Sequence, residues 1–461
     1  MRHILSIWLF VFLSACASFK APYIPSSEQA LMCKPTVYDL GVGTTKINPV
    51  LDKPLDGGQP LLFLSGGSQK GAFGAGFLAG WKETQGLPEF AIVTGVSTGS
   101  LQGVYAFTGD TDVLANEYAI EDESRILNTY IKDSELGLSD YITVMNKGSV
   151  ADLSGLHDLI VTNLKKDDFG LIRKINARYV DDTESAPSAE NLPNALFLVI
   201  ATSVDDGSAK VFDMTELSNR IWRTKNEPER ANLYVKCFAD ILTASSAVPM
   251  AAQPVFIDNK MYVDGGLKFS VSNHQISIGG EKLFDEEIQT RERDVYVVLN
   301  GTPGISDDCS ICGNEEGSDR HKKWSFFNLA QRSISIVTDQ VDQFSIAKIA
   351  SDISLEREKT SSADLCIFLE DKDLQKLNDQ DETKRRVDIF CNGRKDDKPE
   401  IQSKFPRFFY IEEEDLVDPK FGNCSEVLKR EKKEKEIVEF HPDYIRCLIS
   451  YGRKRAASIN F

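Results

Sequence analysis

The sequence predicts an α/β fold, with a central, mostly parallel sheet flanked by helices. Two observations predict it. Between Leu61 and Leu101 two strand–glycine turn–helix units lie back to back. The first is Leu61 to Leu64, then Gly66-Gly67-Ser68-Gln69-Lys70-Gly71, then a segment rich in Ala, Gly and Phe. The second is Ala91 to Thr94, then Gly95-Val96-Ser97-Thr98-Gly99, then another small-residue segment. Further on, LFLVIAT (Leu196 to Thr202) and DVYVVLN (Asp294 to Asn300) are apolar runs of strand length. Strands covered on both faces read this way.

The N-terminus reads as an export signal. Met1-Arg2-His3 is a short basic head, and Ile4 to Leu13 is an apolar run of about ten residues, too short to span a bilayer. Leu13-Ser14-Ala15-Cys16 follows. This resembles the bacterial lipoprotein signal, which is cut before the cysteine that is then acylated. The resemblance implies a signal peptide over residues 1–15 and a membrane anchor, a fatty acid such as palmitate, on Cys16. Residue 17 is alanine and not aspartate, which favours the outer membrane facing the periplasm. An ordinary secretory signal cut near Ala15 or Ala17 is the competing reading. Residues 17–60 are rich in Pro and Ser without periodicity, and read as a tether and lead-in.

Beyond the glycine turns, Asp112 to Ile120 and Gly155 to Lys165 have apolar residues at helical spacing. His157 lies among them, with no second ligand at metal spacing, and reads as a packed or surface histidine. Lys210 to Met214 is a short mixed strand. Asn232 to Ala247 is a helix that Pro249 stops. Val255 to Ile257, Asp258-Asn259 and Lys260 to Val263 read as a hairpin that runs into Asp264-Gly265-Gly266. Trp324 to Ile353 is a long amphipathic helix. Leu365 to Leu369 and Phe408 to Ile411 are strand candidates. Lys429 to Glu436 is a solvated helical face, and Tyr444 to Tyr451 a small closing helix.

The formal net charge of −17 over 461 residues argues against nucleic acid as a partner and against a polybasic membrane patch. Nine cysteines less Cys16 leave an even number, which suits disulfides in an oxidising compartment. Cys366–Cys391 and Cys424–Cys447 are neighbouring pairs. Cys237, in an apolar helix, reads as a buried free thiol. Cys309-Ser310-Ile311-Cys312 reads as a loop staple.

The chemistry lies in the turns. A serine attacks only where its hydroxyl stands exposed, and a sharp strand-to-helix turn flanked by Gly95 and Gly99 exposes Ser97. The glycine turn at Gly66, Gly67 and Ser68 can aim backbone N–H groups at an oxyanion. A serine nucleophile needs a proton acceptor. Asp264 ends a strand before Gly265 and Gly266, where little bulk keeps other turns away. A carboxyl with an ordinary pKa of about 3.9 is a poor base for an alcohol, so its site must raise it by desolvation.

These turns, in this order and spacing, together with Ala244-Ser245-Ser246-Ala247-Val248-Pro249, resemble the patatin-like phospholipase family. The resemblance covers about residues 59 to 300. It implies a patatin-like three-layer α/β fold and a Ser97–Asp264 dyad without histidine. It also implies an oxyanion hole at Gly66, Gly67 and Ser68, and hydrolysis of a lipid ester, in particular a phospholipid, with no cofactor or metal. Lys70 matches the family's basic position and, with Gly71, supports the turn. Ser65 and Ser68 stand where the family has aspartate and a third glycine, and a Cβ at residue 68 disfavours positive φ. The chain then divides into signal (1–15), lipid-attached lead-in (16–58), catalytic core (59–305) and a mainly helical extension packed on the core (306–461). Two alternatives stay open: a histidine triad with His441 as base, and a catalytically silent lipoprotein whose glycine turns bind an anion or a partner.

Overall fold

A computed structural model describes residues 33–40, 59–119, 121–130, 147–178, 195–271, 294–302, 326–358, 407–412, 416–418, 420–434 and 440–461, with isolated positions between them. The expected signal segment, Cys16, Cys309, Cys312, Cys366, Cys391 and the strand candidate Leu365 to Leu369 lie outside the described residues.

Among the described residues the main sheet has nine strands. In chain order they are β1 (Val37–Leu40), β2 (Leu61–Leu64), β3 (Ile92–Val96), β4 (Leu196–Ser203), β5 (Ala209–Asp213), β6 (Val255–Ile257), β7 (Lys260–Asp264), β8 (Val295–Val298) and β9 (Arg407–Phe409). Their spatial order is β1-β5-β4-β3-β2-β8-β9, with β7 and β6 joining beside β4. From β4 to β9 all neighbours are parallel, while β5, β1 and β7 are antiparallel additions. Every residue of β2, β3 and β4 is buried, as the unbroken apolar runs require of a sheet covered on both faces.

The helices among the described residues are α1 (Gly71–Gln85), α2 (Thr98–Thr108), α3 (Thr111–Tyr118), α4 (Ser154–Asn176, broken by a kink at residues 166–169), α5 (Met214–Arg223), α6 (Pro228–Ser245), α7 (Phe326–Glu358), α8 (Cys424–Glu434) and α9 (Pro442–Ala457). The first eleven residues of α1 are all buried, so this helix runs through the interior instead of lying on it. Its glycines explain how. A Cβ at Gly76 would stand 2.1 Å from the Ile449 carbonyl oxygen, and one at Gly452 would stand 2.3 Å from that of Phe73. Helices α1 and α9 therefore touch backbone to backbone.

Three expectations change here. Cys237 is not a free thiol: it is bonded to Cys33, with Cα atoms 5.8 Å apart. The reason is β1, which pairs with β5 in the register Val37↔Phe212 and brings Cys33 to the buried face of α6. The lead-in is for the same reason more than a tether. Finally, a division at residue 305 does not separate the sheet, because β9 pairs with β8 in parallel. The Cys424–Cys447 pair is present, joining α8 to α9. His157 is paired with Asp240 at 3.1 Å.

The α1–α9 contact gives a first prediction. Gly452→Val would force a side chain into backbone and should cost about 2–3 kcal/mol of stability, read by urea denaturation. A cost under about 0.5 kcal/mol would mean that the helices do not touch.

Candidate active site

The site is made by a change of partner along one edge of β4. Strand β3 runs parallel to β4 as far as Val96, which faces Ile200. Strand β7 enters antiparallel and ends at Asp264, which faces Ala201. Since β5 occupies the other edge of β4, β3 and β7 meet head to head on this one. The residue after Val96 is Ser97, so hydroxyl and carboxyl come together at adjacent positions of one strand.

At the junction Ser97 turns sharply, with φ 52° and ψ −126°. That conformation is strained for a residue with a Cβ, and strain of this kind gathers at functional sites. Both flanking glycines are needed. A Cβ at Gly95 would lie 2.4 Å from the Gly99 carbonyl oxygen, and one at Gly99 would lie 2.4 Å from that of Leu64. Where the β3–β4 ladder parts, Ser245 fills the gap. The Ser97 N–H donates to Ser245 Oγ at 2.9 Å, and Ser245 Oγ donates to the Ile200 carbonyl at 2.7 Å. Two backbone groups left by the splitting ladder are satisfied by one hydroxyl. The same segment holds the carboxyl, since the Asp264 N–H donates to the Ala247 carbonyl at 2.9 Å.

Asp264 is 5% exposed and Ser97 7%. Burial pushes the Asp264 carboxyl from the ordinary 3.8 up to about 7. A side-chain hydrogen bond from Ser97 and the Gly266 N–H oppose the rise, and the nearby Asp342 carboxylate adds to it. The Gly266 bond runs to Oδ1 at 2.6 Å. Oδ2 has no partner of full hydrogen-bond geometry, so the Ser97 contact is loose, as such contacts often are without substrate. Asp342 comes from α7, and burial lifts it to about 6, opposed by a Ser270 hydrogen bond and by Lys70.

The first glycine turn lies against Ser97: a Cβ on Gly66 would stand 3.2 Å from Ser97 Cβ and 3.8 Å from its Oγ. One expected oxyanion donor is already engaged, because the Gly66 N–H donates to the Ser270 carbonyl at 3.1 Å. Gly67 (φ 154°) and Ser68 (φ 48°) complete the turn, so Ser68 does take the positive φ that its Cβ disfavours. Ser65 has its own use here. Its Oγ accepts from the Asn300 N–H at 2.8 Å and donates to the Gly66 carbonyl at 2.7 Å. Asn300 Nδ2 donates to the Ser65 carbonyl and to Gln102. Gly71 brings α1 against the second turn, since a Cβ there would lie 2.2 Å from Thr98 Oγ1. Gly265 does the same for β4: its Cβ would lie 2.4 Å from the Ile200 carbonyl oxygen.

The patatin-like phospholipase family profile matches residues 62–273, which include both turns, Ser97 and Asp264. Residues 62–273 form a patatin-like phospholipase domain. A domain of this family supports lipid acyl hydrolase activity in general. No curated protein matches the chain. Among solved structures, VipD from Legionella pneumophila is similar at 12% identity, over 87% of this chain and 92% of its own, with a TM-score of 0.27.

An apolar cavity of about 140 Å³ adjoins the turns. Ser68 and Ser97 belong to its wall, with Leu101 and Val104 of α2 and Leu156 and Ile160 of α4. Phe440, beyond the domain, also lines it. His441 is placed on the first turn, bonded to Gln69. Among the described residues no group of three or more His, Cys, Asp or Glu side chains is placed to hold a metal ion. The sequence reading left Ser245, Asn300, Gln102 and Asp342 without roles. Only Ser245 carried a signal, its place in the Ala244–Pro249 motif.

Two outcomes follow. Ser245→Ala would strand the Ser97 N–H and the Ile200 carbonyl in the interior, and should cost about 2 kcal/mol or more by urea denaturation. Asp264→Asn should stabilise the protein increasingly with pH. The native carboxyl holds its proton up to about pH 7, the unfolded one only to 3.8, so folding favours the protonated form. Wild-type stability therefore falls as pH rises through that window, and the variant, which cannot ionise, does not share the loss. The melting-temperature gap between variant and wild type should widen from pH 4 to pH 8, and a constant gap would contradict the shift.

Proposed function

We propose that this is a lipid acyl hydrolase, a serine carboxylic-ester hydrolase of phospholipase A type working through Ser97 and Asp264. The observation that carries the reading is the meeting of β3 and β7 on β4, which sets a strained serine beside a buried carboxyl with raised pKa. Burial makes Asp264 a far better proton acceptor than an exposed aspartate.

In this mechanism the acyl chain lies in the apolar cavity and the ester carbonyl faces Ser97. As Ser97 Oγ attacks, its proton passes to Asp264. The carbonyl oxygen becomes an oxyanion, met by backbone N–H groups of the Gly67–Ser68 part of the turn and by the positive end of α2. When the intermediate collapses, the alcohol leaves with the proton from Asp264, and Ser97 is acylated. Asp264 then takes a proton from a water that attacks the acyl-enzyme. Collapse releases the acid and returns the proton to Ser97. Lys70, near Asp342, offsets negative charge beside the turn. The lipobox-like Cys16 would tether the enzyme to the membrane that holds its substrate, and the disulfides support an exported protein.

The test is labelling by a fluorophosphonate together with lipid-ester turnover. Wild type should be labelled and Ser97→Ala should not. Ser97→Ala and Asp264→Asn should each lose about 10³-fold or more in kcat. Wild-type kcat/KM should rise with pH and level off above about 7, because only ionised Asp264 accepts a proton. An unlabelled, inactive wild type would leave a binding lipoprotein in place of an enzyme.

A further inference from the structure

The patatin-like domain ends at residue 273, yet the first glycine turn is held from the far end of the chain. His441, 3% exposed, precedes α9. Its backbone N–H donates to Gln69 Oε1 at 3.1 Å, and its ring Nδ1 lies 3.3 Å from the same oxygen. A backbone nitrogen can only donate, so the Gln69 atom facing it is the oxygen. The ring nitrogen facing that oxygen must then carry hydrogen, and His441 is a second donor to it. One side-chain oxygen thus takes two hydrogen bonds, which fixes both its position and its direction.

Gln69 is next to Ser68 in a single helical turn, Ser68–Lys70, closed by the Lys70 N–H on the Gly67 carbonyl at 3.0 Å. What holds Gln69 holds the Gly67–Ser68 backbone. The other side of the clamp is itself anchored. Glu431 of α8 accepts from the Asp443 N–H at 3.1 Å and the Tyr444 N–H at 2.9 Å, capping the first turn of α9. Cys424–Cys447 ties α8 to α9, and glycine contacts seat α9 on α1, the helix that starts where the glycine turn ends.

We propose that His441 is a positioning residue: through Gln69 it holds the Gly67–Ser68 turn in line with Ser97, so the C-terminal helices are a working part of the ester-cleaving site. This rests on reading the turn as the source of oxyanion donors. His441 does not take the serine proton.

The experiment uses the full chain as His441→Ala, His441→Asn, Gln69→Ala and the Ala/Ala double variant, with hydrolysis of a soluble short-chain ester and hydrogen exchange of the amides of residues 66–71. Asparagine can present its amide N–H near the place of Nδ1. His441→Ala should lower kcat about tenfold to a hundredfold with little change in KM. It should also speed exchange in the turn, and His441→Asn should restore most of both. The double variant should be no worse than Gln69→Ala alone, because both act through one contact. In every variant the pH–rate limb near 7 should persist. Unchanged kcat and unchanged exchange in His441→Ala would overturn the proposal. So would loss of the pH limb in both His441 variants with exchange unchanged, which would make His441 the base. If wild type cleaves no ester, the hydrolase reading fails on its own, and the exchange data still decide whether the clamp exists.

Discussion

The site depends on one edge of β4 and on the change of partner there. A parallel strand that leaves its neighbour normally exposes backbone groups, and the interior of a sheet has no water to receive them. Here β3 leaves after Val96, β7 arrives at Asp264, and Ser245 Oγ bridges the interval between Ser97 N–H and Ile200 C=O. The chemistry of the junction follows from its geometry. Two strand ends pointed at each other along a common neighbour bring their terminal residues close, whatever lies between them in sequence.

The same junction sets the electrostatics. Asp264 stands where the sheet is covered on both faces, so burial is the largest influence on its proton affinity, and Asp342 reinforces it. A charged carboxylate in such a place is costly, and the cost takes the form of basicity. Backbone strain at Ser97 and at Ser68 is held by the same surroundings: glycines that admit carbonyls where a Cβ would clash, and the Ser65–Asn300 bonds that fix the first turn. The stability that β2, β3 and β4 gain from full burial is what lets these local costs stand.

Much of this was legible. Unbroken apolar runs announce buried parallel strands, and glycine spacing encodes tight turns, so the two strand–turn–helix units and the Asp258–Asn259 hairpin, with both residues at positive φ, could be read locally. The adjacency of Ser97 and Asp264 could be expected only by resemblance, because it depends on strand order. What escaped was mainly non-local. Cys33–Cys237 joins residues 204 positions apart, and its cause, strand β1, sits in a stretch with no periodicity of its own. Asn300 and Gln102 are ordinary polar residues until the turn is folded over them. Helix α5 was missed for a poorer reason: Asp213, whose side chain accepts the Glu216 N–H at 2.9 Å, and Glu216 itself form a capping signature visible in the sequence.

The C-terminal region changes how the patatin-like domain should be regarded. A domain able to stand alone keeps its own sheet edge and its own helix faces. Here β9 covers the edge of β8, and α9 covers a stripe of α1 whose small residues suit nothing but another backbone. The ring of Phe461 stacks on Trp81 with centroids 3.9 Å apart, and Phe409, Ile445, Leu448 and Tyr451 are buried in the same core as Phe73, Phe77 and Trp81. Glycines in α1 lower its intrinsic helix propensity and gain nothing unless a partner comes close. Their presence in the helix next to the first turn, matched by Gly452 on α9, means that sequence inside the domain is already written for a neighbour outside it. Residues 440–461 are on that argument part of the same folding unit as Ser97, and a chain cut after residue 302 would lose the support of the turn before it lost any residue of the dyad.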